Sequence, residues 1–341
     1  MDPFEALAKR RLSRRQFASI AGVLAASTRL PALAADASGW PARTIRLVIG
    51  FPPGTLPDVM GRVVAEKMAR GLGQSIIVDN KSGAAGSLAA SEVARAAPDG
   101  YTIMVGVASN LAVAPYVMRS ANYDPAKSFA TIGIIQRSPY FIVARPDLPV
   151  SNLRELLAYA RSQPGKLNYA TPGVATLHHL TWELLSQRAG ISMTHVPMQG
   201  PQMITEMLGG RVDLFMDSAT SIVTSNVKSG KFKFIAMTGS TRMAALPDVP
   251  TAGEQGVTGV ESHAFNGMLA PAGTPREILL RLNAELNKAL TAPDTMERLK
   301  AEGVPVEQGV TSTPEGFASL VASEYVRWGR VIKDANISML G

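Results

Sequence analysis

The chain repeats one pattern, in which a short apolar run is followed by a loop rich in glycine and proline and then by apolar residues at helical spacing. Its first occurrence predicts a buried strand at 44–49, a loop at 52–54 and an amphipathic helix that ends at Gly71. From Trp40 onward strands and helices alternate in this way. The pattern predicts an α/β protein with largely parallel sheets.

The remaining elements follow the same rule. Strands are predicted at 74–78, 101–107, 140–144, 167–170, 193–196, 212–216, 232–238 and 261–269. Helices are predicted at 88–97, after a cap at Ser151 or Asn152, after the loop at 171–178, and at 202–208. We expect two lobes, residues 38–140 with 262–341 and residues 141–261, joined where the chain crosses near residues 140 and 261.

Three helices are predicted at the C-terminus. The first has Thr274 as its N-cap, Pro275 at its first position and Glu277 completing a capping box, and the second lies near residues 296–301. The third starts at Thr313 and places Phe317 and Trp328 on one face, where we expect them to be core residues.

Two loops have the composition of anion sites. The loops at 51–58 and 171–178 open helices and contain no lysine or arginine. The first amides of a helix lack partners within it and carry partial positive charge, so they can hold a carboxylate without a basic side chain. An ordinary strand-loop-helix unit explains the first of these loops equally well if that loop is considered alone. The loop at 83–86 matches neither a dinucleotide nor a phosphate-loop motif, so a tight packed turn is its better interpretation.

Composition excludes several chemistries. The 341 residues include no cysteine, which excludes disulfides, cysteine nucleophiles, cysteine-bound metals and a lipid-anchoring cysteine. The formal net charge is +7, but the first 34 residues carry +4 of it, and the +3 that remains does not indicate a nucleic-acid partner.

Residues 1–37 resemble an export signal. Arg14 and Arg15 begin a twin-arginine-like motif, an apolar run at 18–26 follows, and Ala32-Leu-Ala34 forms a cleavage site. The run is shorter than the about 20 residues that span a bilayer. We expect cleavage near Ala34 or Ala37 and a periplasmic protein, by the twin-arginine or the general secretory route.

Catalytic motifs are lacking in the sequence. It has no Gly-x-Ser-x-Gly elbow and no His-Glu-x-x-His helix, and its four histidines do not have metal-ligand spacing apart from the adjacent His178 and His179. We expect His178 and His179 to lie in a first helical turn and Asp58 to stabilise its helix N-terminus. Asp217 follows a strand and could pair with a ligand amine or cap the next helix.

Six short stretches, in order, carry a resemblance that covers nearly the whole mature chain. They are Phe51-Pro-Pro-Gly54 with Asp58, Val78-Asp-Asn-Lys-Ser-Gly83 with Ala97-Pro-Asp-Gly-Tyr-Thr102, Pro164-Gly-Lys-Leu-Asn-Tyr169, Leu208-Gly-Gly210, Leu246-Pro-Asp-Val-Pro-Thr251 and Ala270-Pro-Ala-Gly-Thr-Pro275. In these stretches the chain resembles the Bug-type periplasmic receptors of tripartite tricarboxylate transporters. The resemblance implies a two-lobed type II periplasmic-binding-protein fold that closes over a small carboxylate, with hinge-crossing strands and bridging water at the ligand.

The resemblance also implies where the ligand is held. The expected ligand-binding residues are Phe51, Gly54, Thr55, Asp58, Ser109, Asn110, Thr171, Gly173, Thr176, Leu177, His178, Met198, Gln199, Asp217 and Phe265. Thr55 stands where a second glycine is usual, and Met198 where an aromatic residue is common. Phe265 is expected to shape the apolar end of the site, and the threonine hydroxyls at 171 and 176 to bind the carboxylate.

The expected function is therefore a receptor without catalytic residues, metal or cofactor, monomeric, and working with the membrane subunits of such a transporter. Two alternatives remain at this point. One is an exported α/β enzyme that acts on a carboxylic acid, and the other is a receptor of the same fold that feeds a sensor kinase.

Overall fold

A computed structural model describes residues 39–174, 176–198, 200–301, 304 and 312–334. The predicted leader at 1–37 and the predicted site residue Gln199 lie outside the described residues. Within the described part the strands form two five-stranded sheets.

The first sheet is built from both ends of the described chain. Its strands are β1 (Ile45–Ile49), β2 (Ile76–Asn80), β3 (Thr102–Val107), β4 (Phe129–Pro139) and β10 (His263–Pro271), in the order β2-β1-β3-β10-β4. β1 pairs in parallel with β2 and β3, whereas β10 is antiparallel to β3 and β4. Because helices cover the sheet, Leu47, Val48 and Ile49 are all buried, as a strand with two covered faces requires.

The second sheet has the same arrangement. Its strands are β5 (Phe141–Ala144), β6 (Asn168–Thr171), β7 (Thr194–Pro197), β8 (Leu214–Asp217) and β9 (Lys233–Met237), in the order β7-β6-β8-β5-β9. β6 is parallel to β7 and β8, and β5 is antiparallel to β8 and β9. In both sheets, therefore, the fourth strand in order is the antiparallel one.

The helices lie between these strands and after them. They are α1 (Leu56–Leu72), α2 (Ser87–Val93), α3 (Ala114–Val117), α4 (Leu153–Ser162), α5 (Leu177–Ala189), α6 (Gly200–Leu208), α7 (Ser221–Lys228), α8 (Arg276–Thr291), α9 (Pro293–Ala301) and α10 (Pro314–Asp334). Asn152 caps α4 through its side-chain oxygen, as predicted. Phe317 and Trp328 of α10 are fully buried, which confirms them as core residues. Among the described helices, none combines the length and apolarity needed to cross a membrane.

The chain passes between the sheets at two places. β4 ends at Pro139 and β5 begins at Phe141, so Tyr140 alone joins the two sheets there. The return follows Thr238, whose hydroxyl accepts a hydrogen bond from the Tyr140 amide at 3.0 Å and donates one to the Ser262 carbonyl at 2.6 Å. The two crossing segments are thereby bonded to each other.

Three local predictions are wrong. α1 continues past Gly71 to Leu72 and ends at Gly73, whose φ of 69° is the left-handed conformation that glycine adopts without strain. Thr274 is not the N-cap of α8, because its hydroxyl donates to the Pro271 carbonyl and Pro275 occupies the cap position. α2 ends at Val93 and not at residue 97.

Three of the helices and strands were not predicted: β4, α7 and the four-residue helix α3. β4 lacks a continuous apolar run because Gly133, Gln136 and Arg137 interrupt it, and it forms because β10 pairs with it along its whole length. α7 follows the loop after β8 and buries Val223 alone among its residues.

Candidate functional site

The loop after β1 is held by its own side chains. The Thr55 hydroxyl donates to the Pro52 carbonyl at 2.7 Å, and an Asp58 carboxylate oxygen accepts from the Gly54 amide at 2.9 Å. Thr55 is the N-cap of α1 but makes no side-chain bond to the first turn. Pro57 has no amide N–H, so the Leu56 and Asp58 amides are the ones left without a partner there among the described residues.

Asp58 is a structural residue of this loop. Its carboxylate is buried and also accepts from Arg62 at 3.0 Å and from Asn80 at 2.9 Å. Burial alone would raise the pKa of Asp58, but the hydrogen bonds from Arg62, Asn80 and Gly54 outweigh it and lower that pKa. With its charge paired in this way, Asp58 stabilises the loop and is not placed to act as a base.

Ser109 and Asn110 follow β3 directly, as predicted, and begin a single wide turn of π-helix, Ser109–Val113. Such turns are rare and occur frequently at functional sites. Asn110 is fully buried, accepts from the Val107 amide at 2.9 Å and thus fixes the end of β3. The Ser109 hydroxyl accepts from the Leu177 amide at 3.5 Å. That contact joins the carboxyl end of β3, in the first sheet, to the start of α5, the helix that connects β6 and β7 of the second sheet.

The hydroxyls of Thr171 and Thr176 are used inside the protein. Thr171 is buried, and its hydroxyl lies 2.7 Å from the His195 ring nitrogen Nε2 and 3.1 Å from the Gly173 carbonyl oxygen. The Thr176 hydroxyl donates to Gly173 at 2.8 Å and accepts from the His179 amide at 3.4 Å as the N-cap of α5. Both hydroxyls therefore shape this loop, and the expectation that they bind the ligand directly has no support in the geometry.

His195, the hydrogen-bond partner of Thr171, stacks between two other aromatic rings. Its ring centroid is 4.1 Å from that of His179 and 5.1 Å from that of Tyr169. Burial, together with the neighbouring His179, lowers the pKa of His195 to about 4. At neutral pH the ring is uncharged, which suits a hydrogen bond to a hydroxyl.

His178 and Asp217 form the polar pair of the candidate site. His178 lies in the first turn of α5, as predicted, and its Nε2 is 3.8 Å from an Asp217 carboxylate oxygen. The His178 ring is 4.5 Å from that of Tyr140, the residue at the first crossing between the sheets. Asp217 bonds only the next amide, Ser218, at 2.7 Å among the described residues, and Thr220 is the N-cap of α7. Asp217 does not cap that helix.

Tyr140 and Thr220 were missed as candidate site residues. Tyr140 was assigned only to a strand, and Thr220 to a loop, because neither belongs to a recognisable motif. The structure places Tyr140 against His178, and it leaves the Thr220 hydroxyl oxygen buried without a hydrogen-bond partner among the described residues.

The other predicted residues fall in different places. Phe51 is half-buried with its ring near Gly86, and Met198 is half-buried against the core of the second sheet, bonded to the Thr171 carbonyl through its amide at 3.0 Å. Phe265 is 1% exposed and packs edge-to-face on Phe317. Phe265 is thus a core residue, and its predicted role at the apolar end of the site has no support here.

These loops meet at one place between the sheets. The contacts of Leu177 with Ser109 and of His178 with Tyr140 bring the carboxyl ends of the parallel strands of both sheets together, which is where α/β folds bind ligands. A groove of about 680 Å³ lies elsewhere, between α5 and α10, and contains none of the predicted site residues. The described residues include no cluster of three or more His, Asp or Glu side chains that could hold a metal ion.

Comparisons with known proteins identify a family and similar solved structures. Residues 60–337 match the family described as tripartite tricarboxylate transporter family receptor. The chain is 35% identical over 321 residues to a UPF0065 protein from the tcbD-tcbE intergenic region of Pseudomonas sp. (strain P51), covering 94% of each chain.

Two solved structures show the same fold. The periplasmic binding protein BugD is 33% identical with a TM-score of 0.76, covering 88% of this chain and all of BugD. Rpa4515 of R. palustris, solved with adipate, is 33% identical with a TM-score of 0.77 and the same coverage. The architecture of two sheets joined by two crossings is therefore the two-lobed fold of periplasmic binding proteins, as predicted.

Proposed function

This chain belongs to the tripartite tricarboxylate transporter receptor family, and from that membership we propose that it is a periplasmic receptor for a small carboxylate. In this proposal the ligand lies between the two sheets, and the loaded receptor delivers it to the membrane subunits of a tripartite transporter. The observation that carries the proposal is the family match together with a similar receptor solved with a carboxylate, adipate.

Main-chain amides are the proposed carboxylate ligands. The five loops at the meeting point, residues 51–58, 108–114, 171–178, 197–200 and 217–221, contain no lysine or arginine. The first turns of α1 and α5 offer amides instead, and the His178 amide has no partner among the described residues. Helix starts bind anions through such amides and their partial positive charge, and bridging water adds further contacts.

The proposed lobes are residues 38–140 with 262–341 and residues 141–261. The two crossings at Tyr140 and at residues 238–262 are the proposed hinge, because they are the only links between the sheets along the described chain. A ligand that bonds to α1 on one side and α5 on the other would bridge the lobes and favour closure.

Binding assays distinguish the receptor hypothesis from the alternative that the protein is an enzyme. We expect a carboxylate panel to include compounds that raise the melting temperature as binding to the native state requires and that titrate one to one by calorimetry. Mass spectrometry should recover the bound compound unchanged after long incubation, and should also identify any ligand that co-purifies. Turnover of the bound compound would instead identify an enzyme.

Export is proposed on the basis of the sequence of residues 1–37. Replacing Arg14 and Arg15 by lysine should block appearance of the mature protein in the periplasm if the twin-arginine route is used, as cell fractionation would show. Unimpaired export of the double-lysine variant would contradict that route and favour the general secretory one.

A further inference from the structure

Asp217 is the one acidic side chain of the five loops that no lysine or arginine neutralises among the described residues. The only other acidic residue in those loops, Asp58, is paired with Arg62. The Asp217 carboxylate is 30% exposed, and the nearest basic group is the His178 ring at 3.8 Å. A negative group of this kind repels a second anion and attracts a cation.

Two buried polar atoms lie at the starts of α5 and α7, the helices that carry His178 and follow Asp217. They are Nδ1 of His178 and the hydroxyl oxygen of Thr220, and neither has a hydrogen-bond partner among the described residues. Thr220 lies three residues after Asp217 at the start of α7, and His178 lies against Asp217 at the start of α5. Buried polar atoms are nearly always satisfied in the functioning molecule, so this corner has unused hydrogen-bonding capacity.

From this corner, and resting on the proposed function, we infer that the ligand is an amino-carboxylate: its carboxylate lies at the helix starts and its ammonium group pairs with Asp217. The ammonium donates to the free Asp217 oxygen, while Thr220 and His178 offer further acceptors beside it. A dicarboxylate of the same length would place its second negative charge against Asp217. The receptor should therefore prefer the amino acid within each pair of equal length.

Calorimetry with matched pairs tests this inference on the mature protein. The pairs are 4-aminobutanoate with succinate, 5-aminopentanoate with glutarate, and 6-aminohexanoate with adipate, together with L-aspartate and L-glutamate. We expect the tightest amino-carboxylate to bind at least tenfold more tightly than any dicarboxylate.

Asp217→Asn removes the charge and keeps the oxygen that accepts from Ser218, so it should fold. We expect it to reduce the preference for the amino-carboxylate at least tenfold. Asp248→Asn is the matched control, since it removes the same charge from an exposed position of residues 141–261 and should leave the preference unchanged.

Three outcomes would overturn the inference. If a dicarboxylate binds as well as the amino acids, or if Asp217→Asn folds with an unchanged preference, the ligand class is wrong while the receptor proposal stands. Should Asp217→Asn fail to fold, the parent's own preference decides between the classes. If no compound with a carboxylate binds the parent at all, the proposed function fails as well.

Discussion

At the scale of single residues, hydrogen bonding determines which polar groups remain available for a ligand. Asp58 and Asp217 are both carboxylates at the ends of loops, yet Asp58 has three protein partners and Asp217 has one backbone amide and a distant histidine. These contacts support a stabilising role for Asp58, and in our proposal Asp217 pairs with the ligand.

Asp58→Asn should destabilise the protein by about 2 kcal/mol at pH 7, because a hydrogen bond to a charged group contributes roughly 1.5 to 3 kcal/mol. The pKa of Asp58 is lowered in the folded state, so its stabilisation is present above pH about 4 and is lost as the pH falls through that lowered value. Urea unfolding at pH 7 and pH 3 measures both effects, and the variant should lose less stability on acidification than the parent. Equal losses would contradict the assignment, and Asp248→Asn should stay within about 0.5 kcal/mol of the parent.

Thr176→Val should lower the free energy of unfolding by about 1 kcal/mol, because it removes the N-cap of α5. Thr176→Ser keeps the hydroxyl and should match the parent more closely. Thermal or urea unfolding of the two variants measures the difference. A tenfold loss of carboxylate affinity in the valine variant, without any loss of stability, would instead assign the hydroxyl to the ligand.

At the scale of elements, the position of the loop at 51–58 depends on how closely a neighbouring loop approaches it. The loop after β1 lies against the start of α2, where Gly86 has a φ of 84° and a Cβ atom would stand 3.0 Å from the Phe51 ring and from the Asn110 amide nitrogen. A residue larger than glycine there must move the Phe51 loop.

Gly86→Ala should therefore cost about 1 to 3 kcal/mol beyond the backbone strain of placing alanine at positive φ. Gly190→Ala is the control for strain alone, since Gly190 has a φ of 62° and nothing within 4 Å of a Cβ atom. Urea unfolding compares the two variants. A Gly86→Ala variant that loses no more stability than Gly190→Ala would show that the Phe51 contact does not matter.

The start of α5 is the element that connects the site to the crossings. The Leu177 amide donates to the hydroxyl of Ser109, in the turn after β3. One turn later, the Thr181 hydroxyl donates to the Leu177 carbonyl at 2.7 Å and to the Ser262 hydroxyl at 3.1 Å. Ser262 is bonded in turn to Thr238. A shift of α5 on ligand binding would thus reach the second crossing through direct hydrogen bonds.

At the scale of the whole molecule, Tyr140 and residues 238–262 link the two sheets along the described chain. We expect ligand binding to close the lobes about these segments, so the radius of gyration measured by X-ray scattering should fall when the mature protein is saturated with ligand. An unchanged scattering profile at saturation would count against a hinge.

Thr238 sharpens this test, because its hydroxyl bonds the two crossings together. Thr238→Val removes both bonds, and we expect a larger ligand-free radius of gyration and a lower melting temperature than in the parent. Thr238→Ser retains the hydroxyl and should behave like the parent in both measurements.

The sequence alone determined the fold class, the family and the positions of the candidate loops, because strands and helices follow from local hydrophobic periodicity and each loop follows directly from its strand. Tertiary structure alone decided which groups in those loops are free. The Thr171 hydroxyl is hydrogen-bonded to the ring of His195, 24 residues away, and the Asp58 carboxylate to the side chain of Asn80, 22 residues away. Phe265 packs on Phe317 of α10, while Asp217 has no lysine or arginine within salt-bridge distance among the described residues and meets only the His178 ring at 3.8 Å. Hydrogen-bond partners come from segments that only folding brings together, so local pattern cannot reveal whether a polar side chain in a loop is already satisfied.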